Sequence, residues 1–221
     1  SIDSSFDLFF VSSFFFSIGF SEVLFCVFSS FATIVEQQGS YVTIHPTGGE
    51  AQVICLQVVN DHIIRVRATS DDVLPQKPKS LIIVEQKSKP VFSVEETERD
   101  VLVKAKNLTA SVNKQTGKVV FLDAQGKTLL QEADGGKQFK PFHVPSREIG
   151  SGKVTEEQLH GLSWHIAFDS PADEAFYGLG QHQSEELNMK GKNEDLFQYN
   201  TKVSIPFVLS NKNYGILWDS Y

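Results

Sequence analysis

Apolar and polar side chains alternate with a period of two through most of the chain after Tyr41. The alternation is strict in residues 108–112, a second period-two run covers residues 205–210, and an asparagine-containing turn follows each run. Comparable runs recur about every eight to twelve residues. No long stretch between positions 36 and 221 has the period of an amphipathic helix. The pattern therefore predicts an all-β protein that folds as a two-sheet antiparallel β-sandwich.

Charge and cysteine content exclude several classes of function. The 221-residue chain has a formal net charge of −7 and a pI near 5.4, and it offers no basic cluster to nucleic acid. Its two cysteines, Cys26 and Cys55, are too few for a disulfide framework and lack the spacing of zinc ligands. We expect Cys55 to be a small buried apolar residue, and we expect no metal site, no cofactor and no nucleic-acid partner.

Residues 1–35 differ in composition from the rest of the chain. They hold ten of the eighteen phenylalanines and many serines, but no lysine or arginine. Three interpretations stay open: a membrane anchor, a cleaved secretory signal, or sequence that is not native to the protein. If native, the segment would make the protein secreted, periplasmic or membrane-anchored, and it would be the only part to contact a membrane. We expect it to lie outside the sandwich core, so that its deletion would leave the sandwich folded.

The strands predicted at 51–59 and 62–68 differ in how their faces are buried. The first has apolar side chains on both faces, which predicts a strand that is covered on both sides. In the second, period-two alternation directs three apolar residues inward, namely Ile64, Val66 and Ala68. We expect the alternating Arg65 and Arg67 to form a solvated face.

The stretch from 133 to 161 is rich in glycine, lysine and proline and has weak periodicity. It comes between predicted strands at 128–131 and 162–168. We therefore expect an irregular crossing from one sheet to the other there.

The most informative part of the chain is the stretch from Phe176 to Ser220. It contains a strand, a long polar loop at 181–202 and a predicted hairpin. Long polar loops held by strands are common positions for binding groups. The loop contains two adjacent pairs of carboxylates, and we expect the members of each pair to point apart into water: Glu185 with Glu186, and Glu194 with Asp195. Neither these side chains nor any serine-histidine-aspartate arrangement supplies a catalytic site.

Five short motifs occur in order in this stretch: Tyr177-Gly178-Leu179-Gly180-Gln181, Asn188-x-x-Gly191, Gln198-Tyr199-Asn200-Thr201, Ile205-Pro206 and Tyr214-Gly215-Ile216-Leu217-Trp218. Together they resemble the N-terminal β-sandwich of glycoside hydrolase family 31. The resemblance runs from about Tyr41 to Tyr221. It implies a galactose mutarotase-like sandwich at 36–221 in an enzyme of the α-glucosidase or α-xylosidase type. In that family the catalytic aspartates lie on a (β/α)₈ barrel that follows the sandwich, and no residue of this chain corresponds to them.

The resemblance also indicates substrate-binding residues. It implies that a loop containing Gln198, Tyr199, Asn200 and Thr201 reaches over the mouth of the barrel, with Gln181 and His182 in the same region. Some relatives have an Arg-Asp pair where this chain has Tyr-Asn. An amide can still bond sugar hydroxyls, and an aromatic ring can stack on a sugar. The alternative is that these polar groups bond only their own backbone.

Two functions are consistent with the sequence. The first is a non-catalytic N-terminal module of a family 31 α-glycosidase, whose partners would be an α-glucoside or α-xyloside and the barrel domain. The alternative is a free-standing carbohydrate-binding or sugar-mutarotase-like sandwich.

Overall fold

The computed structural model describes residues 5–12, 33–75, 80, 84, 86, 88–143, 160–182 and 186–219. Within these ranges the chain forms fourteen strands and no helix. The strands are β1 (Ser5–Ser12), β2 (Ile34–Gln38), β3 (Tyr41–His45), β4 (Val53–Asn60), β5 (Ile63–Thr69), β6 (Phe92–Glu96), β7 (Asp100–Ala105), β8 (Leu108–Asn113), β9 (Val119–Asp123), β10 (Thr128–His143), β11 (His160–Phe168), β12 (Phe176–Gln181), β13 (Val203–Ser210) and β14 (Tyr214–Trp218).

The strands form two antiparallel sheets that pack face to face. One sheet has eight strands in the order β12-β13-β14-β1-β5-β4-β3-β2, and the other has six in the order β11-β10-β9-β8-β7-β6. Strand β4 packs on β7, and β5 packs on β8. The predicted all-β sandwich is therefore confirmed. In the part of the chain that the structure describes, no helix is long and apolar enough to cross a membrane.

The core is built from the inward faces that the alternation predicted. Ile64, Val66 and Ala68 of β5 are buried, as expected. In β4 both faces are buried, including Ile54 on one and Cys55 on the other, which confirms the expectation of a strand covered on both sides. Most of these core residues are β-branched, and such side chains suit a pleated surface that is packed on its neighbours.

The N-terminal strand β1 corrects the expectation that residues 1–35 lie outside the core. It pairs antiparallel with β5 on one side and β14 on the other. Leu8 and Phe10 are 2% and 0% exposed, and the ring of Phe10 stacks on Phe121 of the opposite sheet at a centroid distance of 4.1 Å. The expectation was wrong for residues 5–12 and for Val35 of β2, which packs partly buried against the core. Composition alone does not distinguish a phenylalanine-rich strand from a separate apolar segment. Residues 13–32 lie outside the described residues, so the anchor and signal interpretations of that part stay predictions.

The prediction of a solvated face is wrong for Arg65, which is largely buried. Its Nε lies 2.6 Å from Asp7 Oδ1, and its Nη2 contacts Asp7 Oδ2 and lies 3.0 Å from Asp219 Oδ2. The Arg65 side chain is 11% exposed and that of Asp7 is fully buried. The neighbouring Arg67 donates from Nη2 to the carbonyl of Pro75 at 2.7 Å. The prediction failed because the carboxylate that buries Arg65 comes from β1, which was not expected to join the sheet.

The expectation of an irregular crossing at 133–161 is wrong for residues 133–143, because β10 continues to His143. Its pairing shifts register between Glu132 and Lys137, and Gly135 within the bulge has a φ of +62°. Thr128–Gln131 pair with β9, whereas Lys137–His143 pair with β11. A bulge bends a strand and alters its side-chain alternation, so period-two counting could not follow the strand through it. Residues 144–159 lie outside the described residues.

A buried ion pair fixes this bulge. Lys137 Nζ lies 3.0 Å from Glu132 Oε2 and donates to the carbonyl of Gly117 at 2.8 Å. Glu132 Oε2 also accepts from the amide of Val119 at 3.1 Å. Burial raises the pKa of Glu132 and lowers the pKa of Lys137, and the attraction between the two charges opposes both shifts. The pair therefore holds its charges only while both partners are present.

Replacing Asp7 should destabilise the whole sandwich. In Asp7→Ala, Arg65 keeps Asp219 but loses its two contacts to Asp7, so a largely buried guanidinium is left underpaired. We expect the free energy of unfolding to fall by about 3–5 kcal/mol. Denaturant unfolding measures it. The control, Asp72→Ala, removes the same charge from an exposed position and should cost less than about 0.5 kcal/mol. Equal losses in the two variants would contradict the assigned role of Asp7.

Breaking the buried pair of Glu132 and Lys137 should make the stability of the sandwich depend on pH. Lys137→Met leaves Glu132 buried without its cation, and we expect a loss of about 3–5 kcal/mol at neutral pH. A glutamate whose folded pKa is raised binds protons more readily in the folded state, so its contribution to stability grows as the pH falls. The variant should therefore recover stability as the pH approaches the ordinary glutamate value of 4.5. Denaturant unfolding across this pH range would show the recovery.

A second substitution separates charge from packing at the bulge. Glu132→Gln added to Lys137→Met keeps an acceptor for the amide of Val119 but removes the buried charge. The double variant should be more stable than Lys137→Met at neutral pH. If it is equally unstable, the uncompensated carboxylate is not the cause of the loss.

Candidate functional site

Two glycines bring the edge strand β12 close to β13. Gly178 and Gly180 have φ values of +118° and +105° and flank a register shift in the β12–β13 pairing. A Cβ at Gly180 would lie 2.0 Å from the carbonyl oxygen of Val203, and one at Gly178 would lie 2.6 Å from that of Phe207. Between them Leu179 has a φ of +63°, which is unusual for a residue with a side chain. The two glycines are thus required by the backbone geometry at the base of the loop.

The motif Asn188-x-x-Gly191 is a turn that fastens the loop to the start of β12. Asn188 Oδ1 accepts from the amides of Phe176 at 3.0 Å and Lys190 at 3.1 Å. The amide of Met189 donates to the carbonyl of Phe176 at 2.8 Å. Gly191 adopts the positive φ of +72° that the turn needs. The motif therefore has a structural role.

The far end of the loop is a tight turn at residues 199–202, and we call its first three residues, 199–201, the tip. The amide of Lys202 donates to the carbonyl of Tyr199 at 2.8 Å, and the reverse bond measures 3.3 Å. Asn200 and Thr201 lie exposed at the turn. The ring of Tyr199 stacks on that of Phe197 at 5.0 Å and 18°, although the two residues are 51% and 56% exposed. A stacked aromatic pair therefore stands in solvent beside an exposed amide.

The structure separates the six predicted site residues into two groups. Four are exposed at or beside the tip, namely Gln198, Tyr199, Asn200 and Thr201. Gln181 is exposed at the end of β12, whereas the side chain of His182 is only 8% exposed beneath the loop. His182 thus contacts the interior of the loop. Phe197 was missed, although its spacing of two from Tyr199 places both rings on one side of an extended segment.

The expectation that the loop carboxylates point into water is wrong for Glu194. The side chain of Glu194 is 20% exposed, and its Oε2 lies 3.3 Å from Lys202 Nζ and 3.4 Å from His182 Nδ1. Glu186 is exposed and pairs with Lys192 at 2.5 Å, and Asp195 is exposed. Glu185 lies outside the described residues. Glu194 differs because the chain returns at Lys202 and brings a cation to it.

Apolar side chains cover the outward surface of β12 and β13, which we call the outer face. Tyr177 and Leu209 are cross-strand partners and are 42% and 48% exposed. Val203 and Ile205 continue the exposed apolar surface toward the tip. Large contiguous apolar patches mark surfaces that contact another protein or domain.

A buried carboxylate anchors the hairpin below the outer face. Glu174 accepts hydrogen bonds from Tyr214 Oη at 2.6 Å, Ser210 Oγ at 2.5 Å and Ser170 Oγ at 2.8 Å. Burial and the neighbouring Glu174 raise the pKa of Tyr214 well above its usual value, so the phenol stays a donor. This network fixes both strands of the β13–β14 hairpin against the segment that precedes β12.

Comparison with known proteins gives a consistent result. Residues 53–221 match the family described as glycosyl hydrolase 31 N-terminal galactose mutarotase-like domain. An uncharacterized family 31 glucosidase of Pseudescherichia vulneris is 27% identical over 182 residues, which are 77% of this chain and 33% of the relative. An α-xylosidase of Saccharolobus solfataricus is 28% identical over 122 residues, which are 53% of this chain and 15% of that enzyme.

Solved structures agree with these sequence relatives. A family 31 α-xylosidase from Xanthomonas citri is 39% identical and superposes with a TM-score of 0.72 over 84% of this chain and 19% of its own. An α-xylosidase from a soil metagenome, solved with xylose, has 25% identity and a TM-score of 0.63 over 84% of this chain and 28% of its own. The chain thus spans a third or less of each of these relatives.

The close approach at Gly180 predicts that alanine costs more stability there than at Gly191, although both glycines have a positive φ. Gly180→Ala would place a methyl group against the Val203 carbonyl, whereas Gly191→Ala meets nothing within 4 Å. Both variants should lose about 1 kcal/mol from the left-handed backbone. Gly180→Ala should lose about 1–3 kcal/mol more because β12 must move from β13. Denaturant unfolding of the two variants tests this, and equal losses would contradict the role of close approach.

Proposed function

Since this chain belongs to the family of glycosyl hydrolase 31 N-terminal galactose mutarotase-like domains, we propose that it is the substrate-loop module of an α-glycosidase. In this proposal the tip contacts the bound sugar, and the carboxylates that cleave the glycosidic bond belong to another domain of the enzyme. The observation that carries the proposal is the exposed, stacked pair of Phe197 and Tyr199 beside Asn200. Exposing two large rings to water is unfavourable for the isolated domain, so a binding role explains their position.

The chemistry of the tip suits a carbohydrate. The face of an aromatic ring packs on the C–H groups of a pyranose, and stacking on Phe197 restricts the rotation of the Tyr199 ring before the sugar arrives. The amide of Asn200 can donate to one hydroxyl and accept from the next, and the hydroxyl of Thr201 can do either. The tip thus combines a pre-oriented apolar surface with neutral polar groups, as sugar recognition requires.

The proposed sugar is an α-xyloside or an α-glucoside. The structures at 39% and 25% identity are both α-xylosidases, and the curated relatives include an α-xylosidase and a family 31 glucosidase. The Tyr199-Asn200 pair stands where the family resemblance places an Arg-Asp pair in some members. A neutral pair in that position would bind sugar hydroxyls through uncharged groups, so we propose that it contributes to the choice of sugar.

The loop carboxylates support a non-catalytic role for this module. Glycoside hydrolysis uses two carboxyl groups on either side of the scissile bond. In the described part of the loop, Glu186 pairs with Lys192 and Glu194 with Lys202, so these two carboxylates each face a lysine rather than a second acid. The third described carboxylate, Asp195, is exposed. The catalytic pair is therefore proposed to lie in the part of the enzyme that this chain does not span.

The outer face is proposed to pack on the catalytic domain of the same enzyme. Tyr177, Ile205 and Leu209 are between 42% and 49% exposed and flank the base of the loop. Docking through this face would bury apolar surface and would place the tip at the boundary between the domains. A site of this kind, at an interface, is a common position for ligands.

Two substitutions at the tip test the proposal in the enzyme that contains this chain. Asn200→Ala should lower kcat/KM roughly tenfold, because it removes a neutral hydrogen bond of about 0.5–1.5 kcal/mol. Tyr199→Ala should also weaken binding through the lost stacking. Asn193→Ala, an exposed asparagine of the same loop, is the matched control and should change little. All three melting temperatures should stay close to that of the parent.

Other outcomes distinguish the alternatives. If Asn200→Ala lowers the melting temperature but leaves kcat/KM intact, the tip has only a structural role. Hydrolysis of an aryl α-xyloside or α-glucoside by the 221-residue chain itself would contradict its non-catalytic role. Interconversion of sugar anomers by the isolated chain would favour the free-standing mutarotase-like alternative.

A further inference from the structure

Beneath the tip, His182 holds a fixed position at the base of the loop. Its Nε2 lies 2.7 Å from the carbonyl oxygen of Leu179. A carbonyl only accepts hydrogen bonds, so Nε2 must carry a proton. The acceptor belongs to the residue of positive φ between the two glycines of β12. The imidazole therefore connects the loop to the most constrained backbone at its base.

The other ring nitrogen points at Glu194. His182 Nδ1 lies 3.4 Å from Glu194 Oε2, and it is buried without a hydrogen bond to any described residue. Lys202 Nζ lies 3.3 Å from the same oxygen of Glu194. The three groups thus form a partly buried cluster.

Lys202 joins this cluster to the tip. Its ammonium group donates to the carbonyl of Asp195 at 2.6 Å as well as contacting Glu194. Its own backbone closes the tip by bonding Tyr199 in both directions. The carbonyl of Phe197 accepts from Ser204 Oγ at 2.9 Å, which ties the other side of the aromatic pair to β13. The contacts run from β12 through His182, Glu194 and Lys202 to Tyr199.

We propose that His182, Glu194 and Lys202 are positioning residues that hold the tip in its sugar-binding geometry. This inference rests on the proposed function, since it assigns the tip as the group that touches the sugar. Without the cluster the tip would sample other arrangements, and its apparent affinity would fall in proportion to the time spent away from the competent one. None of the three residues needs to touch the sugar, because they act through Tyr199 and Asn200.

The first experiment measures the loop in the 221-residue chain and involves no sugar. Lys202→Met removes the ammonium group but keeps the length of the side chain. Lys192→Met is the matched control, since Lys192 pairs with exposed Glu186 in the same loop. We expect faster amide hydrogen exchange at residues 194–202 in Lys202→Met, no change in Lys192→Met and restored protection in Lys202→Arg. Unchanged exchange in Lys202→Met would overturn the proposal.

The second experiment is a double-mutant cycle in the enzyme that contains the chain. Lys202→Met should lower kcat/KM about tenfold if the loosened tip is competent about a tenth of the time. In a Tyr199→Ala/Asn200→Ala background the same substitution should have almost no further effect, because a residue that acts through the tip has nothing left to position. A full additional loss in that background would show that Lys202 acts elsewhere and would overturn the proposal.

The two experiments separate this inference from the proposed function. If the tip substitutions have no effect on kinetics, the sugar-contacting role of the tip is wrong, and the positioning role toward sugar is overturned with it. Hydrogen exchange then still shows whether the cluster orders the loop.

Discussion

The sandwich depends on the buried contact of Asp7 with Arg65 and Asp219. These residues come from β1, from β5 and from the position after β14, so one guanidinium joins the three neighbouring strands at the centre of the eight-stranded sheet. Without β1 the facing edges of β5 and β14 would expose unpaired backbone groups, and the core would lose Leu8 and Phe10. The charge of Asp7 can be buried there because Arg65 pairs with it and Arg67 Nε lies 3.9 Å from its Oδ2.

The candidate site inherits its position from this arrangement. Strand β14 is held against β1, the β13–β14 hairpin is fixed by the hydroxyl donors around Glu174, and β12 pairs with β13 at the sheet edge. The glycines of β12 let the two edge strands approach closely, and the loop extends from that edge. Burial decreases from the centre of the sheet to the exposed tip, as is usual for loops that extend from a sheet.

In the proposed arrangement the module would supply contacts to the sugar while another domain would supply the chemistry. The rings of Phe197 and Tyr199 are stacked on each other, and the cluster around Glu194 would limit the movement of the tip. Pre-organisation of this kind improves affinity by lowering the entropy lost on binding. Because the tip carries no charge of its own, it would select among sugars by shape and hydroxyl pattern. Changes to a few loop residues could then alter the preferred sugar without altering the catalytic groups.

The sequence by itself determined the local features of this protein. Period-two alternation identified the all-β class, strand β3 and the inward residues of β5, because side-chain direction in a strand depends only on the residue's place in the alternation. Tertiary structure alone decided what each face meets. It placed β1 inside the sheet, buried Arg65, carried β10 through its bulge and brought Lys202 to Glu194. Each of these depends on a partner from another segment of the chain or on a change of register, and alternation along one strand contains no information about either.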